Sequence, residues 1–120
     1  MKATAPLFIH YVRDMPRAIA FYRDVFEVPV SFESAGWSTL RFDAFELALH
    51  MLWPGNEDEA PLPHAGIAWL VDSIEEARAE IEAHGGRMRE LREPDGFVPV
   101  RVASFVDPDG NGFELRQEVR

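Results

Sequence analysis

Near its C-terminus the chain reads Asp107-Pro108-Asp109-Gly110-Asn111-Gly112-Phe113-Glu114-Leu115. Proline presets φ for a tight turn, and Gly110 and Gly112 accept the positive φ such turns use, so a strand starts at Gly112. Phe113 and Leu115 alternate around Glu114. If the two apolar residues face a core, the carboxylate faces the other way, fixed by a rigid turn. Such a group suits a metal ligand or a general base, and equally a solvated glutamate after a hairpin. The tripeptide has an echo at Phe45-Glu46-Leu47. Around that second glutamate, Ala48 and His50 share its face, while Leu47, Leu49 and Met51 share the opposite one. His50 is therefore a candidate ligand beside Glu46. His10 lies within an apolar run and suits a hydrogen-bonded core position. His64 follows Pro63 at a strand entrance, and His84 precedes Gly85 at a helix end, where it suits the helix dipole. Arg41 and Arg101 fall inside strands, where a guanidinium facing a cavity holds an anion or pairs with a carboxylate. Trp37 has the parity of Thr39 and Arg41. Trp53 stands where it could close over a ligand, and the alternation of Ile67, Trp69 and Val71 puts Trp69 beneath the second helix.

Those residues need a scaffold, and the periodicities supply one. Leu7 to Val12 is a short β-favouring run. Asp14 caps a helix over 15–26, with Pro16 in its first turn and Met15, Ile19, Tyr22 and Phe26 at helical spacing. Strands follow over Val28 to Phe32, Trp37 to Phe42 and Glu46 to Leu52. The stretch 54–63 is rich in proline and acid and reads as a linker. Beyond it the pattern repeats: a strand from Ala65 to Val71, an Asp72-Ser73 cap, a helix from Ile74 to His84 ended by Gly85-Gly86, then strands over Arg87 to Arg92, Pro99 to Val106 and from Gly112. The tandem βαβββ units give an α+β fold in one domain over 1–120, with modules at about 6–53 and 64–118. One such unit cannot bury both faces of its sheet, so the two pair, and their open faces are expected to curve into a cup. Glu46 and Glu114 are then expected near one another across a pseudo-twofold axis.

Composition narrows the function classes. The 120 residues suffice for one core. The absence of cysteine excludes disulfides, thiolate metal sites and cysteine nucleophiles. A formal net charge of −9 argues against binding nucleic-acid phosphates. No apolar run approaches the roughly 20 residues of a membrane helix. The N-terminal stretch lacks the apolar segment of a signal peptide, so a cytoplasmic location and no membrane partner are expected.

The segments from Val12-Arg13-Asp14 to Arg23, from Val71-Asp72 to Gly85-Gly86, and from Asp107 to Leu115 resemble the vicinal oxygen chelate superfamily. That superfamily includes glyoxalase I, bleomycin-resistance proteins, fosfomycin-resistance enzymes and extradiol dioxygenases. The resemblance implies the paired βαβββ fold, a small-molecule ligand and a homodimer. In metal-using members two strand-borne ligands from each half converge on one divalent ion, Ni, Zn, Mn or Fe. In bacterial glyoxalase I these resemble His, Glu, His, Glu. The glutamates match Glu46 and Glu114; the histidine positions fall on Leu7 and Gly66. His64 keeps the strand parity of Gly66, whereas His10 points the other way unless its strand is bulged. A metal site here would use Glu46, Glu114 and His50 or His64, with Glu114 also a candidate base.

Two functions follow. One is a bleomycin-resistance-like protein that binds a small aromatic or cationic molecule, with Trp37, Arg41, His50, Trp53 and Arg101 as candidate contacts. The other is a metal-dependent lyase, isomerase or dioxygenase built on Glu46 and Glu114. The sequence leaves catalysis open between them.

Overall fold

The computed structural model describes residues 2, 5, 7–53, 64–95 and 98–119, with the backbone alone at 64–66. The elements run β1 (Leu7–Val12), α1 (Met15–Phe26), β2 (Val30–Phe32), β3 (Trp37–Arg41), β4 (Glu46–Met51), β5 (His64–Leu70), α2 (Ile74–Ala83), β6 (Arg87–Arg92), β7 (Val100–Val106) and β8 (Gly112–Glu118). The expected strand–helix–three-strand order occurs twice. Each module makes a four-stranded mixed sheet, ordered β1-β4-β3-β2 and β5-β8-β7-β6. The first strand of each sheet pairs in parallel with the last, because a helix carries the chain across between them. The stretch 54–63, expected as the linker, lies outside the described residues.

Local chemistry sets the boundaries. The Asp14 carboxylate accepts the Arg17 N–H at 3.1 Å and caps α1. The helix ends at Glu27, which takes a left-handed φ of 52°. The Val28 N–H is then spent on the Arg23 carbonyl, so β2 starts at Val30 rather than Val28. In α2 the cap is Ser73, whose hydroxyl accepts the Glu76 N–H at 3.1 Å. Glu75 and Glu76 sit in the first turn, where negative charge suits the dipole. His84 is the C-cap, its Nδ1 lying 2.8 Å from the Glu80 carbonyl.

The helices cover one face of each sheet, and those covered faces share a core. Phe21, Tyr22 and Phe26 of α1 all meet the ring of Phe113 on β8, at 6.4, 6.5 and 6.0 Å between centroids. Trp69 faces inward, as its alternation implies, and joins the core cluster that also holds Ala77 and Ile81 of α2. Its ring packs on Phe26 at 4.6 Å, Phe42 at 5.2 Å and Phe45 at 6.2 Å, all from the first module. Burying these large rings removes the most apolar area from water, so the inter-module seam is a main source of stability.

Candidate functional site

The strand registers lay out the open face of the first sheet as three rows. Tyr11, His50 and Trp37 form one, Ile9, Ala48 and Thr39 the next, and Leu7, Glu46 and Arg41 the third. In the first row the His50 ring stands between two aromatic rings, 4.9 Å from Tyr11 and 5.9 Å from Trp37. All three are half-buried. The His50 Nδ1 is buried and makes no hydrogen bond. Leu7 and Ile9 leave 44% and 37% of their surface exposed, so the face is apolar and accessible along β1.

The third row holds the first glutamate. Arg41 NH2 donates to Glu46 Oε1 at 2.7 Å, and the Ser31 hydroxyl donates to Oε2 at 3.1 Å. Leu7, the apolar residue at the position where the resemblance implies a histidine, is the parallel neighbour of Glu46. His50 shares the face, as alternation implies, but it lies four residues along the strand, roughly 13 Å away, and is held in its own row. It is therefore not brought to Glu46 as a second ligand.

On the second sheet, Glu114 lies between Ala68 and Ser104 on the open face. Arg92 NH2 is 3.7 Å from its Oε2. The two glutamates occupy equivalent places, yet they line different cavities. Glu46 borders one of about 290 Å³ with Leu7, Arg41 and Phe45. Glu114 borders one of about 260 Å³ with Arg92, Val100 and Val102. These two cavities share no lining residue. Among the described residues, no three His, Asp or Glu side chains are grouped to hold a metal. The donor set around Glu46 thus does not fit a divalent ion. The side chain of His64 lies outside the described residues.

Other candidates separate cleanly. Arg101 faces the helix side, not the open face: it is register-paired with Gln117, three residues along from the Ser104–Glu114 pair and so of opposite parity. Its guanidinium bonds Glu75 of α2 at 2.7 and 3.0 Å, Glu93 at 2.9 Å and Gln117 at 3.2 Å. Those carboxylates hold it still more firmly protonated than an ordinary arginine. It clamps α2 to β7, and it also borders a cavity of about 600 Å³ with Leu70, Asp72 and Gln117. Trp53 is exposed at the far end of β4, where it borders a separate groove with Arg13, Met15, Glu33 and Met51.

His10 is 2% exposed on the helix side, where it forms a buried chain that sequence reasoning did not assemble. Its Nδ1 lies 2.9 Å from the Tyr22 hydroxyl, which donates to Asp107 Oδ2 at 2.8 Å. Asp107 also accepts the Asp109 and Asn111 N–H groups and the Asn111 side-chain amide. Burial pushes the Asp107 carboxyl up, and these donors pull it back only in part. Burial, and then the Asp107 charge, lift the Tyr22 hydroxyl well above its ordinary value. Asp109 accepts the Arg13 N–H at 2.8 Å and the Arg17 guanidinium at 2.7 Å. The turn motif is thus a clasp between the modules. Its signal was the Asp107–Asp109–Asn111 spacing, which lets one carboxylate bond the N–H groups that follow it.

The fold and its open sheet faces define a class of paired βαβββ proteins. The sequence profile of the glyoxalase/bleomycin resistance protein/dioxygenase superfamily matches residues 6–115, and the chain belongs to that superfamily. Solved structures agree in fold. A glyoxalase/bleomycin resistance protein/dioxygenase family enzyme from Burkholderia phytofirmans PsJN is 17% identical with a TM-score of 0.76, covering 98% of this chain and 100% of that one. A fosfomycin resistance protein from Listeria monocytogenes is 20% identical with a TM-score of 0.74, covering 99% and 96%. A lactoylglutathione lyase from Agrobacterium tumefaciens is 17% identical with a TM-score of 0.70, covering 97% and 94%. Among the described residues no helix is long and apolar enough to cross a membrane.

Proposed function

We propose that this chain binds a flat aromatic small molecule on the open face of its first sheet. The observation that carries the reading is the row Tyr11–His50–Trp37. Three rings stand side by side on neighbouring strands, half-exposed, with apolar Ile9 in the next row. Rigid side chains on paired strands make a stacking surface at little entropic cost. The half-faces around Glu46 and Glu114, and the exposed Leu7, Ile9 and Leu70, suit a homodimer in which a second copy covers part of each face. The metal-dependent lyase or dioxygenase reading draws its support from the matching places of Glu46 and Glu114; the donors around Glu46 do not favour it.

The test is a titration of flat aromatic cations and anions, read by quenching of tryptophan emission. At least one compound saturates below about 1 mM. Trp37→Leu or His50→Ala weakens it by roughly tenfold, the loss of about 1.4 kcal/mol expected for one stacked ring. No saturation across the panel, or affinities indifferent to both substitutions, removes the proposal.

A further inference from the structure

We infer that Arg41 stands as the built-in cation of the Glu46 position, so that this end of the open face presents a guanidinium where metal-using relatives would place a divalent ion. Three features of the third row place it there. First, both Glu46 oxygens are already engaged, Oε1 by Arg41 and Oε2 by Ser31. Secondly, the pairing is imposed by the backbone. The Phe42 N–H bonds the Phe45 carbonyl at 2.9 Å, and the turn they close sets Arg41 directly opposite Glu46. Strand register therefore brings the guanidinium within reach of the carboxylate. Thirdly, the parallel neighbour that could supply a second donor is Leu7, an apolar side chain. An ion entering here would have to expel a cation that repels it, and would gain a single carboxylate in exchange. The second sheet shows a similar device, with Arg92 3.7 Å from Glu114. A ligand group reaching this row meets a planar donor fork suited to an oxyanion, not a Lewis acid.

The inference stands apart from the aromatic-ligand reading, because it concerns a different row and is read by a different signal. The experiment is calorimetric titration of the full chain, untagged and freed of metal, with Ni²⁺ and Zn²⁺. Wild type is compared with Glu46→Gln, with Arg41→Leu, and with Leu7→His combined with Arg41→Leu. Expected are wild-type isotherms that Glu46→Gln does not alter. The double variant then gains affinity on the order of 10–100-fold, and adding Glu46→Gln removes the gain. Arg41 is exposed, so Arg41→Leu alone should stay folded, and it gains affinity several-fold even if the double variant does not fold. One ion per wild-type chain that is lost in Glu46→Gln overturns the inference. So does a correctly folded Arg41→Leu chain, by circular dichroism, that binds no better than wild type.

Discussion

At the residue scale, the buried chain from His10 through Tyr22 to Asp107 sets its own proton positions. The Tyr22 hydroxyl has one proton and gives it to Asp107, so its contact with His10 uses the Nδ1 proton of His10. Tyr22→Phe removes both bonds and leaves polar atoms buried, at a cost of about 1–3 kcal/mol in urea unfolding. It also deprives Asp107 of the donor that most favours its ionised form, so the carboxyl rises further, a shift that carbon-detected NMR titration reads directly. The sign of the pH effect follows. A carboxyl raised on folding binds its proton more tightly in the folded than in the unfolded chain. Its contribution to stability is greatest below the unfolded value of about 3.9 and declines as pH rises through the raised folded value. Asp109, also raised first by burial, acts in the same sense. Exposed Glu75 is lowered by its bond to Arg101 and acts in the opposite sense. Asp107→Asn removes one declining contribution. The stability gap between wild type and this variant should therefore narrow between pH 4 and pH 7, and a gap that widens contradicts the assignment.

At the scale of elements, the turn after α2 is where packing leaves least room. A Cβ on Gly86 would stand 2.6 Å from Ile81 Cγ2, 2.9 Å from the Val106 carbonyl oxygen and 3.1 Å from a Phe21 ring carbon. The side chains could shift; the β7 backbone could not without breaking its register. Gly86→Ala should destabilise by about 1–3 kcal/mol, seen as a lower urea midpoint at unchanged slope. In the sequence, Gly85-Gly86 was legible only as a helix stop. The close approach to β7 depends on tertiary packing that no local pattern encodes. The same division runs through the site. Period-two alternation was enough to put Glu46 and His50 on one face and to send His10 to the other. It could not show that Arg41 closes on Glu46, because that pairing is a property of the β3–β4 register. The short turn between Arg41 and Glu46 is the local feature that sets this register. The Arg101–Glu75 pairing was hidden for a related reason. The strand parity of Arg101 relative to Glu114 is set by the β7–β8 pairing, and the helix that supplies Glu75 is distant in sequence.

At the scale of the whole molecule, the duplicated sequence suggests two independent units, but the packing joins them. Trp69 of the second module rests on Phe26, Phe42 and Phe45 of the first. Asp107 and Asp109 of the second hold Tyr22, Arg13 and Arg17 of the first. Separating the modules would expose the rings of Trp69 and Phe113 and strand a buried carboxylate, so a half-folded chain has no sizeable population. The tryptophans allow this to be tested module by module. A chain keeping only Trp37 reports on the first sheet, and one keeping only Trp69 reports on the seam. Replacing the other two tryptophans by phenylalanine changes the stability of each chain, so the comparison is made within each. In both, the urea transition followed by tryptophan emission should coincide with that followed by far-ultraviolet circular dichroism. If emission in the Trp37 chain moves at a urea concentration where its far-ultraviolet circular dichroism still shows much of the native signal, the seam does not couple the modules. The clasp around Asp107 would then be a local turn device rather than the joint of the fold.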